Sequence, residues 1–150
     1  MKHLPTLLLL ALSFAFNSCG SSVGLGNNSD SLTSVEIKST DLERARRVTR
    51  DVFTEEGFCE TGTATNTIFF TKDGGRSAML AWGGWGDEAV MISPEVYVGR
   101  SAKGISVQLD LYVSRVSSAF GEDGGRRLWA AGRGSYSRLL KRIKARTESK

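Results

Sequence analysis

The clearest hydrophobic pattern in the chain is an alternation between positions 105 and 113. Large apolar side chains occupy Ile105, Val107, Leu109, Leu111 and Val113. Polar or amphipathic side chains occupy Ser106, Gln108, Asp110 and Tyr112. A period of two residues is typical of a β-strand with one buried face and one wet face, as in antiparallel sheets. This segment is therefore predicted to be a strand whose odd positions face the core.

Apolar residues at helical spacing predict two helices that flank the strand region. The first covers residues 41–56, where Thr40 and Glu43 match a capping box and Gly57 supplies the left-handed residue at the end. The second covers about 135–146. Its apolar face carries Tyr136, Leu139, Leu140 and Ile143. Its opposite, cationic face carries Arg138, Lys141 and Arg142.

Further strands are predicted between the helices, at residues 65–71, 76–82, 89–92, 95–98 and 127–131. The first two flank Lys72-Asp73-Gly74-Gly75, a hairpin signal because its glycines accept positive φ angles. Pro94 interrupts the next pair and implies an edge or a bulge, since proline cannot donate to a ladder. The order of elements predicts an α+β two-layer sandwich. An N-terminal and a C-terminal helix would pack on an antiparallel sheet of about four to six strands.

The N-terminus has the pattern of an export signal. Lys2 is followed by an uncharged, apolar stretch from position 4 to position 16. As a helix this stretch spans about 20 Å, too short for a hydrocarbon core of about 30 Å. With the small residues of Ser18-Cys19-Gly20 it resembles the lipoprotein signal peptides of bacteria. The resemblance implies removal of residues 1–18 and acylation of Cys19; ordinary secretion with Cys19 free or removed is the alternative.

The chain then divides into a signal peptide, a tether and a domain. Residues 19–38 are rich in glycine, serine and asparagine and are predicted to be a lipid-anchored flexible tether with a reach of about 25 Å. Residues 39–150 are predicted to form one α+β domain, since 40% of the chain is hydrophobic. In the lipoprotein class an aspartate after the cysteine retains the protein at the inner membrane in some bacteria. Gly20 at this position therefore favours the outer membrane.

Residue types exclude several kinds of active site. The one histidine, His3, lies in the predicted signal peptide, which excludes histidine bases, Ser-His-Asp triads and histidine metal sites from the mature chain. No metal or cofactor is expected. Cys59 is predicted to be a small buried hydrophobe beside Phe58, with a reactive thiol or an intermolecular bridge as alternatives. Carboxylates near the first helix are expected to pair with its arginines as a solvated face. These carboxylates are Asp51, Glu55, Glu56 and Glu60.

Two surfaces are candidates for binding. Trp82 and Trp85 lie in a glycine-rich segment and could form a stacking platform for a sugar ring, or could pack against the sheet. The C-terminal segment 126–150 has nine basic residues and one acid. Its cationic face, with Arg138, Lys141 and Arg142, is predicted either to contact anionic lipid or to be simply solvated.

The sequence thus predicts a non-catalytic, lipid-anchored lipoprotein of the bacterial envelope, with a domain that binds or scaffolds near the membrane surface. The membrane is the expected partner through the acyl chains. Anionic lipid, a glycan or an envelope protein are further candidates, whereas nucleic acid is not expected for an exported, tethered protein despite the net charge of +4. The alternative is a glycan-recognition module that uses Trp82 and Trp85, and the third is a carboxylate-dependent enzyme.

Overall fold

A computed structural model of the protein describes residues 30–82, 89–117, 121–122, 125–128, 130 and 132–149. The strands are β1 (Thr33–Ile37), β2 (Cys59–Ala64), β3 (Thr67–Asp73), β4 (Ala89–Ser101), β5 (Gly104–Ser117), β6 (Gly121–Glu122) and β7 (Arg126–Arg127). The helices are α1 (Leu42–Glu55), α2 (Gly75–Trp82) and α3 (Arg133–Glu148). The antiparallel sheet has the order β1-β5-β4-β3-β2, and β6 and β7 also pair with β5. The predicted α+β sandwich is confirmed.

The core lies between the helices and one face of the sheet. This face carries the odd positions of β5, as the alternation predicts, and Ile105, Val107 and Leu109 are fully buried there. Phe53 of α1 stacks on Phe70 of β3, with ring centroids 4.5 Å apart. The core cluster extends from Leu32 to Ile143 and joins both long helices to the sheet. The described residues therefore share one continuous hydrophobic core, which begins at Leu32.

Both predicted helices are present, with small differences at their ends. The cap of α1 is Asp41 rather than Thr40, because the Asp41 carboxylate accepts a hydrogen bond from the Arg44 backbone N–H at 2.9 Å. Gly57 has a φ of 81° after the helix, as predicted. At the other end of the chain, α3 is longer than predicted. Of the strand expected at 127–131, Arg127 lies in β7, and residues 129 and 131 lie outside the described residues.

The segment 76–82, predicted as the second strand of a hairpin, is helix α2 instead. The Asp73 carboxylate accepts a hydrogen bond from the Gly75 N–H at 2.7 Å, and Gly75 has a φ of 62°. This turn starts a helix, and the alanine, methionine and leucine that follow are good helix formers. The hairpin partner of β3 is β2, and the two-residue turn between them is Thr65-Asn66.

Besides the two-residue strand β6, the strands β1 and β2 lie where the sequence predicted none. β1 falls within the predicted tether 19–38, yet it pairs with β5 from Thr33 opposite Leu109 to Ile37 opposite Ile105. The folded domain therefore begins before residue 39. β2 carries mostly exposed side chains, and Cys59 is exposed on it, so the prediction of a buried thiol is wrong.

Pro94 does not divide β4, which is one continuous strand in the interior of the sheet. Pro94 lies opposite Leu111 of β5. On the other side, the ladder with β3 passes from the pair Phe69–Glu95 to the pair Lys72–Ile92 with no partners between them. The missing N–H of proline is thus accommodated by a local gap in the ladder rather than at an edge.

The second face of β5 was expected to be wet, and this expectation is wrong. Its polar residues Ser106, Gln108, Asp110 and Ser114 are all buried. Tyr97 lies opposite Gln108 and Glu95 lies opposite Asp110 on β4. β5 lies between β4 and β1 in the sheet, so its polar groups have a neighbouring strand on both sides.

Candidate functional site

Helix α3 presents two different faces to the rest of the domain. The residues buried against the sheet are Tyr136, Leu140, Ile143 and Thr147. The neighbouring face, at positions i, i+3, i+4 and i+7, consists of Ser135, Arg138, Leu139 and Arg142. This second face lines a cleft beside α2 and the end of α1. These four residues form a stripe of α3 with both polar and apolar side chains, which lies between the buried face of the helix and its solvent-exposed face.

The cleft has a volume of about 780 Å³, which is within the range of small-molecule sites. Besides the four residues of the α3 stripe it is lined by Glu56, Phe58, Ser77, Ile92, Gly132 and Tyr136. Ile92 and Leu139 are partly buried hydrophobic residues packed on the core. They give the cleft an aliphatic floor that is still open to a ligand.

Aromatic rings support the inner wall of the cleft. The Phe58 ring meets Phe53 edge-on at 5.4 Å and lies 6.4 Å from the Tyr136 ring. The Lys72 ammonium group is 5.2 Å from the Phe58 centroid and donates to the Glu56 carbonyl oxygen at 2.6 Å. These contacts hold the chain in place where it leaves α1.

Arg142 spans the gap between α3 and the C-terminal end of α1. Its guanidinium donates to the Glu56 carboxylate at 2.8 Å and to the Val52 carbonyl oxygen at 3.2 Å. A cation is favourable at this end of a helix, where carbonyl groups point outward. Arg142 is thus half-buried in an ion pair, and the prediction that it faces outward with Arg138 and Lys141 is wrong for this residue.

Glu55 strengthens the same junction from the solvent side. It accepts a hydrogen bond from Arg146 at 2.7 Å and lies 3.5 Å from Arg142. The hydrogen bond from Arg146 holds the pKa of the Glu55 carboxyl below its usual value. Glu60 likewise pairs with Arg50 at 2.9 Å. The predicted charged face of α1 therefore exists, but α3 supplies the partners of Glu55 and Glu56.

Arg138 is the cation of the cleft that no carboxylate neutralises within the described residues. Its guanidinium donates a weak hydrogen bond of 3.4 Å to the Ser135 hydroxyl. Burial raises the pKa of Tyr136 to about 12, so its hydroxyl stays protonated at physiological pH. The lining of the cleft therefore combines the Arg138 cation with the hydroxyl groups of Ser77, Ser135 and Tyr136.

The other predicted site residues are distributed as follows. Lys141 is exposed on α3 and does not line the cleft. Trp82 is the last residue of α2, and its side chain lies outside the described residues, as do Trp85 and Cys19. Sequence reasoning missed Ser77 and Ile92 because they come from segments far apart in the chain.

A second polar cluster, also missed, lies on the opposite face of the sheet. Asp110 accepts hydrogen bonds from Arg127 at 2.7 Å and from the Leu32 backbone N–H at 3.0 Å. Burial, and then the neighbouring Asp110 charge, raise the pKa of Glu95. Burial also raises the pKa of Tyr112, with Glu95 and Asp110 adding to it. This cluster ties the segment before β1 to the sheet, which is a structural role.

Metal and membrane features are limited in the part of the chain that the structure describes. No three His, Cys, Asp or Glu side chains there are grouped to hold a metal ion. None of the described helices is long and apolar enough to cross a membrane.

In comparisons with protein-family models, curated proteins and solved structures, nothing matches this chain.

Proposed function

We propose that the protein is a non-catalytic, lipid-anchored lipoprotein of the bacterial envelope whose domain binds a small ligand near the membrane surface. The observation that carries the binding role is the cleft beside α3, with its aliphatic floor and its polar rim. The signal segment and Ser18-Cys19-Gly20 support the anchor, and Gly20 favours the outer membrane.

Binding is a better account of the cleft than catalysis. Glu56 is the one carboxylate among its described lining residues, and it is held by Arg142. A serine nucleophile needs an adjacent general base, and Ser77 and Ser135 have no histidine available in a mature chain that lacks His3. The described groups of the cleft are thus suited to hydrogen bonding and charge recognition.

The anchor is tested by metabolic labelling with a clickable fatty acid. Wild-type protein is expected to be labelled, and Cys19→Ser is expected to lose the label because the thiol is the site of acylation. Cys59→Ser is the matched control, since it removes the other cysteine and should keep the label. Equal labelling of wild type and Cys19→Ser would contradict the anchor.

The binding role is tested with residues 20–150 and a neutral apolar fluorophore such as N-phenyl-1-naphthylamine. The fluorophore is expected to brighten on entering the cleft, and Leu139→Gln should reduce this because it makes the floor polar. Lys141→Gln, on the same helix but outside the cleft, should leave the emission unchanged. Circular dichroism checks that both variants are folded. No brightening, or equal brightening in both variants, would contradict a ligand site in this cleft.

A further inference from the structure

The charges around the cleft do not balance, which indicates the kind of ligand that it takes. Among the described lining residues, two arginines, Arg138 and Arg142, accompany one carboxylate, Glu56. Because Arg142 donates to the Glu56 carboxylate at 2.8 Å, the remaining positive charge of the lining is at the rim, where Arg138 is exposed.

The apolar part of the cleft lies next to this charge along α3. Leu139 follows Arg138 directly on the lining stripe, and Ile92 of β4 contributes the second partly buried aliphatic side chain. A ligand held at Arg138 can therefore lay an apolar chain on the floor without leaving the cleft. A wholly polar anion would leave the apolar side chains of the floor exposed to water. A wholly apolar ligand would take the Arg138 charge out of water without giving it a partner of opposite charge.

We propose that the cleft binds a single-chain anionic amphiphile, with its carboxylate or phosphate at Arg138 and its chain against Ile92 and Leu139. The inference rests on the proposed binding role of the cleft. The Ser77 and Ser135 hydroxyls are the additional donors for the anionic head. An arginine suits either head group because its planar fork pairs with carboxylate and phosphate oxygens. A fatty acid and a lysophospholipid are the two sources of this chemistry in an envelope.

The experiment compares ligands that share one chain and differ in the head. Titration calorimetry with residues 20–150 would use laurate, its neutral glycerol monoester, lauroyl lysophosphatidylglycerol, and acetate as the anion without a chain. All amphiphiles are kept below the concentration at which they form micelles. The anionic amphiphiles are expected to bind about tenfold or more tightly than the neutral ester, because they add a charge-assisted hydrogen bond to Arg138. The tighter of the two anionic ligands identifies the source.

Two matched variants distinguish a specific contact with Arg138 from a general electrostatic attraction to the positive charge of α3. Arg138→Gln should lower the affinity for laurate to that for the glycerol ester and leave the ester unaffected, because the ester does not use the charge. Lys141→Gln removes a charge three residues further along α3 and should change neither affinity. Equal affinities for the two ligands in wild type, or equal effects of the two variants, would overturn the inference.

The same titrations distinguish this inference from the binding role on which it rests. If the neutral fluorophore enters the cleft and the anionic amphiphiles bind no better than the ester, the ligand is not anionic and the binding role stands. If neither fluorophore nor amphiphile binds the folded domain, both fail. Amide chemical shifts should move at Leu139 and Ile92 when laurate binds, and shifts confined to the opposite sheet face would also overturn the inference.

Discussion

The Asp110–Arg127 ion pair is expected to be among the most expensive polar contacts to break in the described fold. The Asp110 side chain is 3% exposed and that of Arg127 is 13% exposed, with the two charged groups 2.7 Å apart. Asp110 also accepts from Leu32, and Arg127 donates to the Asp30 carbonyl oxygen at 2.7 Å. Asp110→Ala would remove the acceptor of two donors in one step.

The size of the loss follows from this burial. Removing one partner of a buried ion pair costs about 3–5 kcal/mol, because the other charge stays desolvated without its partner. For a domain of this size such a loss lowers the melting temperature by roughly 10–25 °C. Asp110→Asn keeps the shape and one acceptor oxygen, so it should cost less than Asp110→Ala.

The assay is urea unfolding of residues 20–150, followed by circular dichroism. Glu43→Ala is the matched control, since it removes a carboxylate from an ion pair of similar length, 3.0 Å to Arg46, in which Glu43 is 74% exposed. Exposed pairs contribute about 0–1 kcal/mol. The difference between the two variants reports the burial of the Asp110 ion pair together with its hydrogen bond from Leu32.

Equal losses from Asp110→Ala and Glu43→Ala would refute the reasoning. A second check replaces both partners, as Asp110→Leu with Arg127→Met. The double variant should lose less than the sum of the single ones, because neither Asp110 nor Arg127 is then left buried after losing the other. Strict additivity would mean that the two side chains act independently despite their distance of 2.7 Å.

Three further results are expected. The folded-state pKa of Glu95 is raised above 4.5 by burial and then by Asp110, so the domain loses stability as pH rises from 4.5 through that pKa. Glu95→Gln should therefore have a higher melting temperature than wild type at pH 7 but not at pH 3.5. Gly104→Ala should lower the free energy of unfolding, measured in urea, by about 2 kcal/mol or more, because Gly104 has a φ of 133° and a Cβ there would meet the Ile37 carbonyl oxygen. Gly134→Ala has open space around it and should leave the free energy of unfolding unchanged or raise it. A thiol reagent should modify Cys59 in the folded domain as fast as in urea, since Cys59 is exposed, and slow modification would contradict this.

Local periodicity was enough to predict the helices α1 and α3 and the core face of β5. In α1, apolar residues at helical spacing coincide with an acidic start and with Gly57 at the end, so every local signal agrees. In β5, the odd positions from Ile105 onward can be buried together only if the strand is extended. These are properties of the chain within a few residues, which is why they are readable without the fold.

Elements that depend on a distant partner could not be predicted in this way. β1 and β2 have weak hydrophobic patterns and are strands because β5 and β3 pair with them. The apolar run of α2 suits a strand as well as a helix, and the turn at Asp73 decides between the two. The burial of Gln108 and Asp110 follows from the position of β5 between β1 and β4, and no pattern within β5 encodes that position.

The cleft shows the same division between sequence and tertiary structure. The sequence alone determined that Arg138, Leu139 and Arg142 lie on one helix, since three- and four-residue spacings place them on neighbouring turns. Only the tertiary structure decided that Arg142 turns to the end of α1 while Arg138 stays on the rim. Only the tertiary structure also brought Ser77 and Ile92 to the same cleft. The physical reason is that the packing of one helix against another depends on side chains far apart in the chain, which no local period specifies.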